Sequence, residues 1–176
     1  MSQFPDGSAT LAAPTTTTTG RATSDATRGA RAEMCNELLV DAIELMLQAK
    51  YAHWNVAGPH FAALHPLFDK VFAGALEHVD GLAERVVQLG GCARGTLQAV
   101  ARASKAIGDL GCDAASWREH VRALSIALSS LSARAVLGVE RAEELGDPVT
   151  ADLMTQIARS TDEHRWLVEA HLREEA

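Results

Sequence analysis

The chain has 176 residues, 47% of them hydrophobic but only 5% aromatic, and a formal charge of -7. That length supports one domain with a sizeable core, and abundant Ala and Leu with few aromatics favour helices over a β-sandwich. An acidic chain with three lysines (Lys50, Lys70, Lys105) argues against a general nucleic-acid-binding surface.

Residues 1–32 contain Pro5, Pro14, the run Thr15 to Thr19, and Gly7, Gly20 and Gly29. With so little apolar surface they read as a disordered tail ahead of one helical domain over 33–176. From Glu33, the residues Leu38, Leu39, Ala42, Ile43, Met46 and Leu47 recur at helical spacing, and Ala57-Gly58-Pro59 is a stop signal. A second helix is predicted from about Phe61 to Leu89, ended by Gly90 and Gly91, with Pro66 tolerable near its first turn. The connector from Cys92 to Asp113 is interrupted by Gly95, Gly108 and Gly111, with a short helix around Leu97 to Ala103. A third helix is expected over about Ser116 to Leu145, capped by Asp113 or Ser116. Gly146-Asp147-Pro148 breaks it, and the fourth runs from Val149 to His171. Four long helices with a long connector between the second and third specify an all-α, up-down-down-up bundle.

Cys35, Cys92 and Cys112 are widely spaced and form no CxxC or Cys/His cluster, which fits free thiols in a reducing compartment. No apolar run approaches the ~20 residues of a membrane span, and no basic stretch precedes an apolar core at the N-terminus. The expected location is therefore the cytoplasm.

The second helix carries two i,i+4 pairs, His65 with Asp69 and Asp80 with Glu84. Each pair lies on one helix face and can act as a two-armed metal ligand. At ~1.5 Å per residue the pair centres are roughly 22 Å apart, so they cannot share an ion within one chain. They do fall within an arc of about 100°. A second copy lying antiparallel about a two-fold axis near residues 74 and 75 would set His65 and Asp69 opposite Asp80 and Glu84 of its mate, giving two identical sites. Ala73, near the axis on the same face, permits close approach. His53, at the end of the first helix, is placed to complete the His65/Asp69 half. Two imidazoles and three carboxylates suit iron, manganese or zinc.

Taken singly, each pair is also what a solvated helix face looks like; the symmetric placement favours the metal reading. Four-helix di-iron proteins carry Glu-x-x-His motifs within one bundle. None of the histidines here has Glu three residues before it, position -3 being Lys50 for His53 and Ala62 for His65. The metal is therefore expected between subunits. His60, His78, His120, His164 and His171 read as turn, packing or surface residues. Trp117 and Trp166 read as core or interface, and Trp54 as packing beside His53.

The stretch from Ala52 through His53-Trp54-Asn55-Val56-Ala57-Gly58-Pro59-His60 to Phe61, followed by Leu64-His65-Pro66-Leu67-Phe68-Asp69, resembles the signature of the Dps family. These are the DNA-binding proteins from starved cells, a branch of the ferritin superfamily. Asp80-Gly81-Leu82-Ala83-Glu84-Arg85 and Gln88-Leu89-Gly90-Gly91 extend the similarity, which reaches more weakly through Thr150-Ala151-Asp152 to Trp166. The resemblance implies a ferritin-like four-helix subunit, a hollow homo-dodecamer built from two-fold dimers, and a ferroxidase centre at each two-fold interface. Its ligands would be His53, His65 and Asp69 of one subunit with Asp80 and Glu84 of the other. It further implies oxidation of Fe(II) by hydrogen peroxide or O2, storage of ferric mineral, and protection of DNA.

Glu143, Asp147 and Asp152 lie around the turn where members of that family line their iron pores; the alternative for each is an ordinary helix-end or turn acid. Relatives that coat DNA often use a lysine-rich tail. This tail has no lysine, and Arg21, Arg28 and Arg31 are offset by Asp6 and Asp25, so DNA binding is expected to be weak or absent. Two other functions stand beside the ferroxidase: a structural nucleoid protein, and a zinc or manganese buffer without redox turnover.

Overall fold

The computed structural model describes residues 24–103 and 116–173. They form α1 (Asp25–Asn55), α2 (Phe61–Gln88), α3 (Leu97–Ala103), α4 (Trp117–Glu144) and α5 (Pro148–Glu169), with a closing 3-10 turn over Ala170–Leu172. Helix ends follow local chemistry. Ser24 accepts the Thr27 N–H at the head of α1. At α4, the Ser116 hydroxyl accepts the Glu119 N–H while the Glu119 carboxylate accepts the Ser116 N–H at 2.6 Å, a reciprocal capping box. Asp147 caps α5 through the Thr150 N–H, with Pro148 in the first helical position. Between them Gly146 takes φ +67°, a left-handed value that ends α4 without a Cβ penalty.

Helix α1 starts at Asp25, ahead of the expected Glu33. Its first turns carry little apolar surface, so periodicity does not show them. They are secured by the Ser24 cap and by Arg31, which donates across the bundle to the Leu145 and Gly146 carbonyls. Pro66 stands past the first turn of α2 and gives no N–H to the Ala62 carbonyl; Ala62 is exposed, so water can reach that region. Ser116, not Asp113, caps α4. Asp113, Cys112 and the tail residues 1–23 lie outside the described residues.

Two hairpins, α1/α2 and α4/α5, pack face to face around fully buried Leu39, Leu64, Phe68, Leu128, Met154 and Ile157. Side-chain pairs fix the directions. Glu37 meets Arg141 and Asp41 meets Arg134, while Tyr51 meets His120, so α1 and α4 run antiparallel. Arg85 meets Asp147 while an added Cβ at Gly74 would meet His164, so α2 and α5 do too. With antiparallel hairpins this is the up-down-down-up order, and α3 lies in the crossover.

Helix α4 is long and apolar enough to cross a membrane by length and composition, contrary to the sequence expectation. One side of it, with Leu124, Leu128 and Leu131, is buried in the bundle, while Ile126, Val136 and Leu137 on the same helix are exposed.

Candidate metal centre

The end of α1 and the start of α2 are joined by a short turn in which Gly58 takes φ +94°. This turn folds His53 against His65, with ring centroids 3.8 Å apart and planes 27° from parallel. The contact is reciprocal. His53 Nδ1 lies 2.9 Å from the His65 carbonyl oxygen, and His65 Nδ1 lies 2.9 Å from the His53 carbonyl oxygen. A carbonyl only accepts, so each Nδ1 carries a proton, and the nitrogen left to hold a metal on each ring is Nε2. Backbone bonds of this kind fix tautomer and ring orientation in metal-binding histidines.

Asp69 stands one turn beyond His65, with a carboxylate oxygen 3.9 Å from His53 Nδ1. Its hydrogen-bonded partner is Lys50, whose ammonium also sits over the Phe72 ring, 4.6 Å from the centroid. The Lys50 hydrogen bond holds the exposed Asp69 carboxyl below the usual carboxylate range, against an opposing effect of burial. His53, His65 and Asp69 thus form a cluster, with Lys50 on its carboxylate arm.

Asp80 and Glu84 are exposed further along α2. Among the described residues, no group of three or more His, Cys, Asp or Glu within the chain is placed to hold a metal ion. The outward stripe of α2 carries Asp69, Ala73, Asp80 and Glu84, all exposed, interleaved with exposed Leu76 and Val87. Trp54, expected from sequence to pack beside His53, is 70% exposed. Apolar side chains left in the open along a row of potential ligands suit a face that another protein surface covers.

The Ferritin-like domain family matches residues 32–176. The DNA protection during starvation protein of Agrobacterium fabrum is 39% identical over 141 residues, 80% of this chain and 86% of that protein. The chain belongs to the Dps family of ferritin-like proteins. Among solved structures, Dps from Microbacterium arborescens in its high iron form is similar with a TM-score of 0.77 and 28% identity, covering 84% of this chain and 95% of that one. The tetragonal form of Mycobacterium smegmatis Dps gives 0.81 and 27%, covering 88% and 93%.

The three acids expected at a Dps iron pore do not share one environment. Glu143 and Asp152 are exposed, but Asp147 is buried. Its carboxylate accepts from Arg85 Nη2 at 2.8 and 3.0 Å, from the Thr150 N–H at 3.1 Å and from the Thr150 hydroxyl at 2.6 Å, with Arg31 at 3.8 Å. Burial pushes this carboxyl up, but the Thr150 and Arg85 hydrogen bonds outweigh it and hold it below the usual range. Within the subunit Asp147 takes the helix-end alternative, as cap of α5 and ion-pair partner of Arg85. Cys35 lies close by, fully buried, and burial pushes its thiol up to about 11; Cys92 is exposed and both are free thiols.

His120 and His164 take the packing alternative, both being buried, and His78 is half-buried near His164. Trp117 is buried, whereas Trp166 is 58% exposed. Two residues of consequence were not singled out from sequence. Lys50 had a signal, since it stands three residues before His53 on the same helix. Arg85 had none, because its partner Asp147 is 62 residues away in the chain.

Proposed function

We propose that this Dps-family chain stores iron and detoxifies it, oxidising Fe(II) at sites shared between two subunits of a hollow dodecamer. The observation that carries the reading is the reciprocally bonded His53/His65 pair, with both Nδ1 atoms committed to backbone carbonyls and Asp69 alongside. This half-site supplies two imidazole nitrogens and one carboxylate. Asp80 and Glu84 of a partner subunit would supply the other carboxylates. Iron is the substrate here. Each Fe(II) gives up one electron, and two together reduce one hydrogen peroxide: its O–O bond breaks, two protons are taken up, and two waters form. The ferric product hydrolyses and is stored as mineral in the cavity, which removes the reactants of hydroxyl-radical chemistry near DNA. Fe(II) arriving at Asp69 displaces the Lys50 ammonium, so the carboxylate changes partner without becoming uncompensated. Exposed Glu143 and Asp152 would line the uptake pore.

The test is anaerobic loading with Fe(II), then peroxide, following ferric absorbance in the wild type and in an Asp80→Ala, Glu84→Ala variant. Rapid oxidation at about two irons per peroxide in the wild type, lost in the variant, is expected for carboxylate ligands at a metal-assisted redox site. Equal rates would overturn the intersubunit site. Competition of Zn(II) with Fe(II) for binding, with no Fe(II) turnover in the wild type, would move the metal-buffer reading ahead. The tail composition supports weak DNA binding, and a plasmid band shift at ~0.15 M salt, abolished by deleting residues 1–30, would contradict it.

A further inference from the structure

Outside the cluster itself, the turn between the two site histidines is gripped from a helix that contributes no ligand. His60 is the N-cap residue of α2, yet its side chain makes no capping hydrogen bond. Its ring lies instead on Trp117, with centroids 4.1 Å apart and planes at 44°. Trp117 is the first residue of α4 and is buried. It is fixed on both sides of the chain: the Ser116–Glu119 capping box secures the helix start, and the Arg118 guanidinium sits 4.3 Å from the Trp117 ring centroid. The residue after His60 faces the site, since the Phe61 ring is 4.8 Å from the His65 ring. Among the described residues its backbone hydrogen bonds are local, from the Phe61 N–H to the Gly58 carbonyl and from the Ala63 and Leu64 N–H groups to the His60 carbonyl. They shape the turn itself.

We propose that Trp117 and His60 are positioning residues: α4 clamps the α1–α2 turn through this ring contact, and Phe61 passes the constraint to the His53/His65 stack. The inference rests on the reading of that stack as the half-site for iron. The physical basis is that the two rings are held by each other's backbone carbonyls, so any displacement of residue 60 relative to residue 56 changes both bonds at once. Val56 is buried at one end of the turn, whereas Ala57, Gly58, Pro59 and His60 are exposed, so the ring contact on Trp117 is what limits that displacement at the other end.

The test uses the full chain with His60→Ala, His60→Phe, Trp117→Leu and the His60→Ala, Trp117→Leu double variant. The first readout contains no metal: hydrogen exchange at the ring C2–H of His53 and His65, followed by mass spectrometry. His60→Ala is expected to exchange several-fold faster at both rings, and His60→Phe, which keeps a flat ring on Trp117, to match the wild type. Trp117→Leu should resemble His60→Ala, and the double variant should be no worse than either single one, as for two residues acting through one contact. The second readout is the Fe(II) dependence of oxidation. The half-saturating Fe(II) concentration should rise about tenfold in His60→Ala with the maximal rate retained, the range seen when a ligand's supporting neighbour is removed. Unchanged C2–H exchange in His60→Ala would overturn the clamp, as would equally fast exchange in His60→Ala and His60→Phe. Because exchange is read without iron, the clamp and the ferroxidase fail separately: faster exchange with no Fe(II) oxidation in the wild type would sustain the clamp and remove the enzyme.

Discussion

Asp147→Ala separates a structural acid from a pore acid. The carboxylate is 4% exposed and accepts two hydrogen bonds from Arg85 and two from Thr150, so its removal leaves a guanidinium and a helix N-terminus without their partner. Breaking a buried ion pair costs ~3–5 kcal/mol, of which the lost cap accounts for ~1. The Arg85 side chain is 16% exposed and can recover some hydration, so the low end, about 3 kcal/mol, is the expectation. For a chain of this size that is a fall of roughly 6–12 °C in thermal midpoint. Asp147→Asn retains an oxygen for the Thr150 N–H and should lose about half as much. The assay is thermal unfolding by circular dichroism at fixed protein concentration, beside Fe(II) uptake, with Glu143→Gln and Asp152→Asn as exposed controls expected within ~0.5 kcal/mol of wild type. Asp147→Ala unfolding with the wild type while taking up iron slowly would refute the structural assignment. Acid tests the same group: its folded pKa is depressed, so its contribution is complete above the unfolded value of ~3.9 and is lost as pH falls through the folded value.

Gly74→Ala should destabilise the bundle by about 1 kcal/mol, because overpacking costs ~1–3 and the gain in helix propensity is only ~1. The added Cβ would stand 2.6 Å from His164 Cε1, and in a His164→Ala background the same change should become stabilising; chemical denaturation of the four proteins reads the sign reversal. Burial lowers the pKa of His78, His120 and His164 below the model-peptide value of 6.5, so the unfolded chain binds more protons than the folded one below that pH. Thermal midpoints should therefore decline as pH drops through 6.5 toward the folded values, and His120→Phe should flatten the slope. Lys50→Met removes the cation bonded to Asp69 and should tighten Co(II) binding to the half-site by at most about fivefold, as expected for a partly exposed pair; weaker binding would show that Lys50 orients Asp69 instead of competing for it.

The sequence by itself determined the helices, their order and which side chains share the outward face of α2, because these depend on short-range chemistry. Periodicity places α2 and its outward stripe, and Ser116 with Glu119 or Asp147 with Pro148 mark helix starts within four residues of chain. The early turns of α1 escaped it because their stabilisation comes from Arg31 reaching carbonyls more than a hundred residues away. Tertiary structure alone decided the state of each site group. An imidazole's tautomer depends on what its Nδ1 meets, and for His53 and His65 that is the other's backbone. A carboxylate's availability depends on its partners: Asp147 is buried and bonded to Arg85 on another helix, whereas Asp152, five residues on, stands in water. The clamp of Trp117 on His60 joins residues 57 positions apart and no local pattern contains it. Spacing along one helix fixes which groups share a face; what those groups touch is settled only when the helices pack.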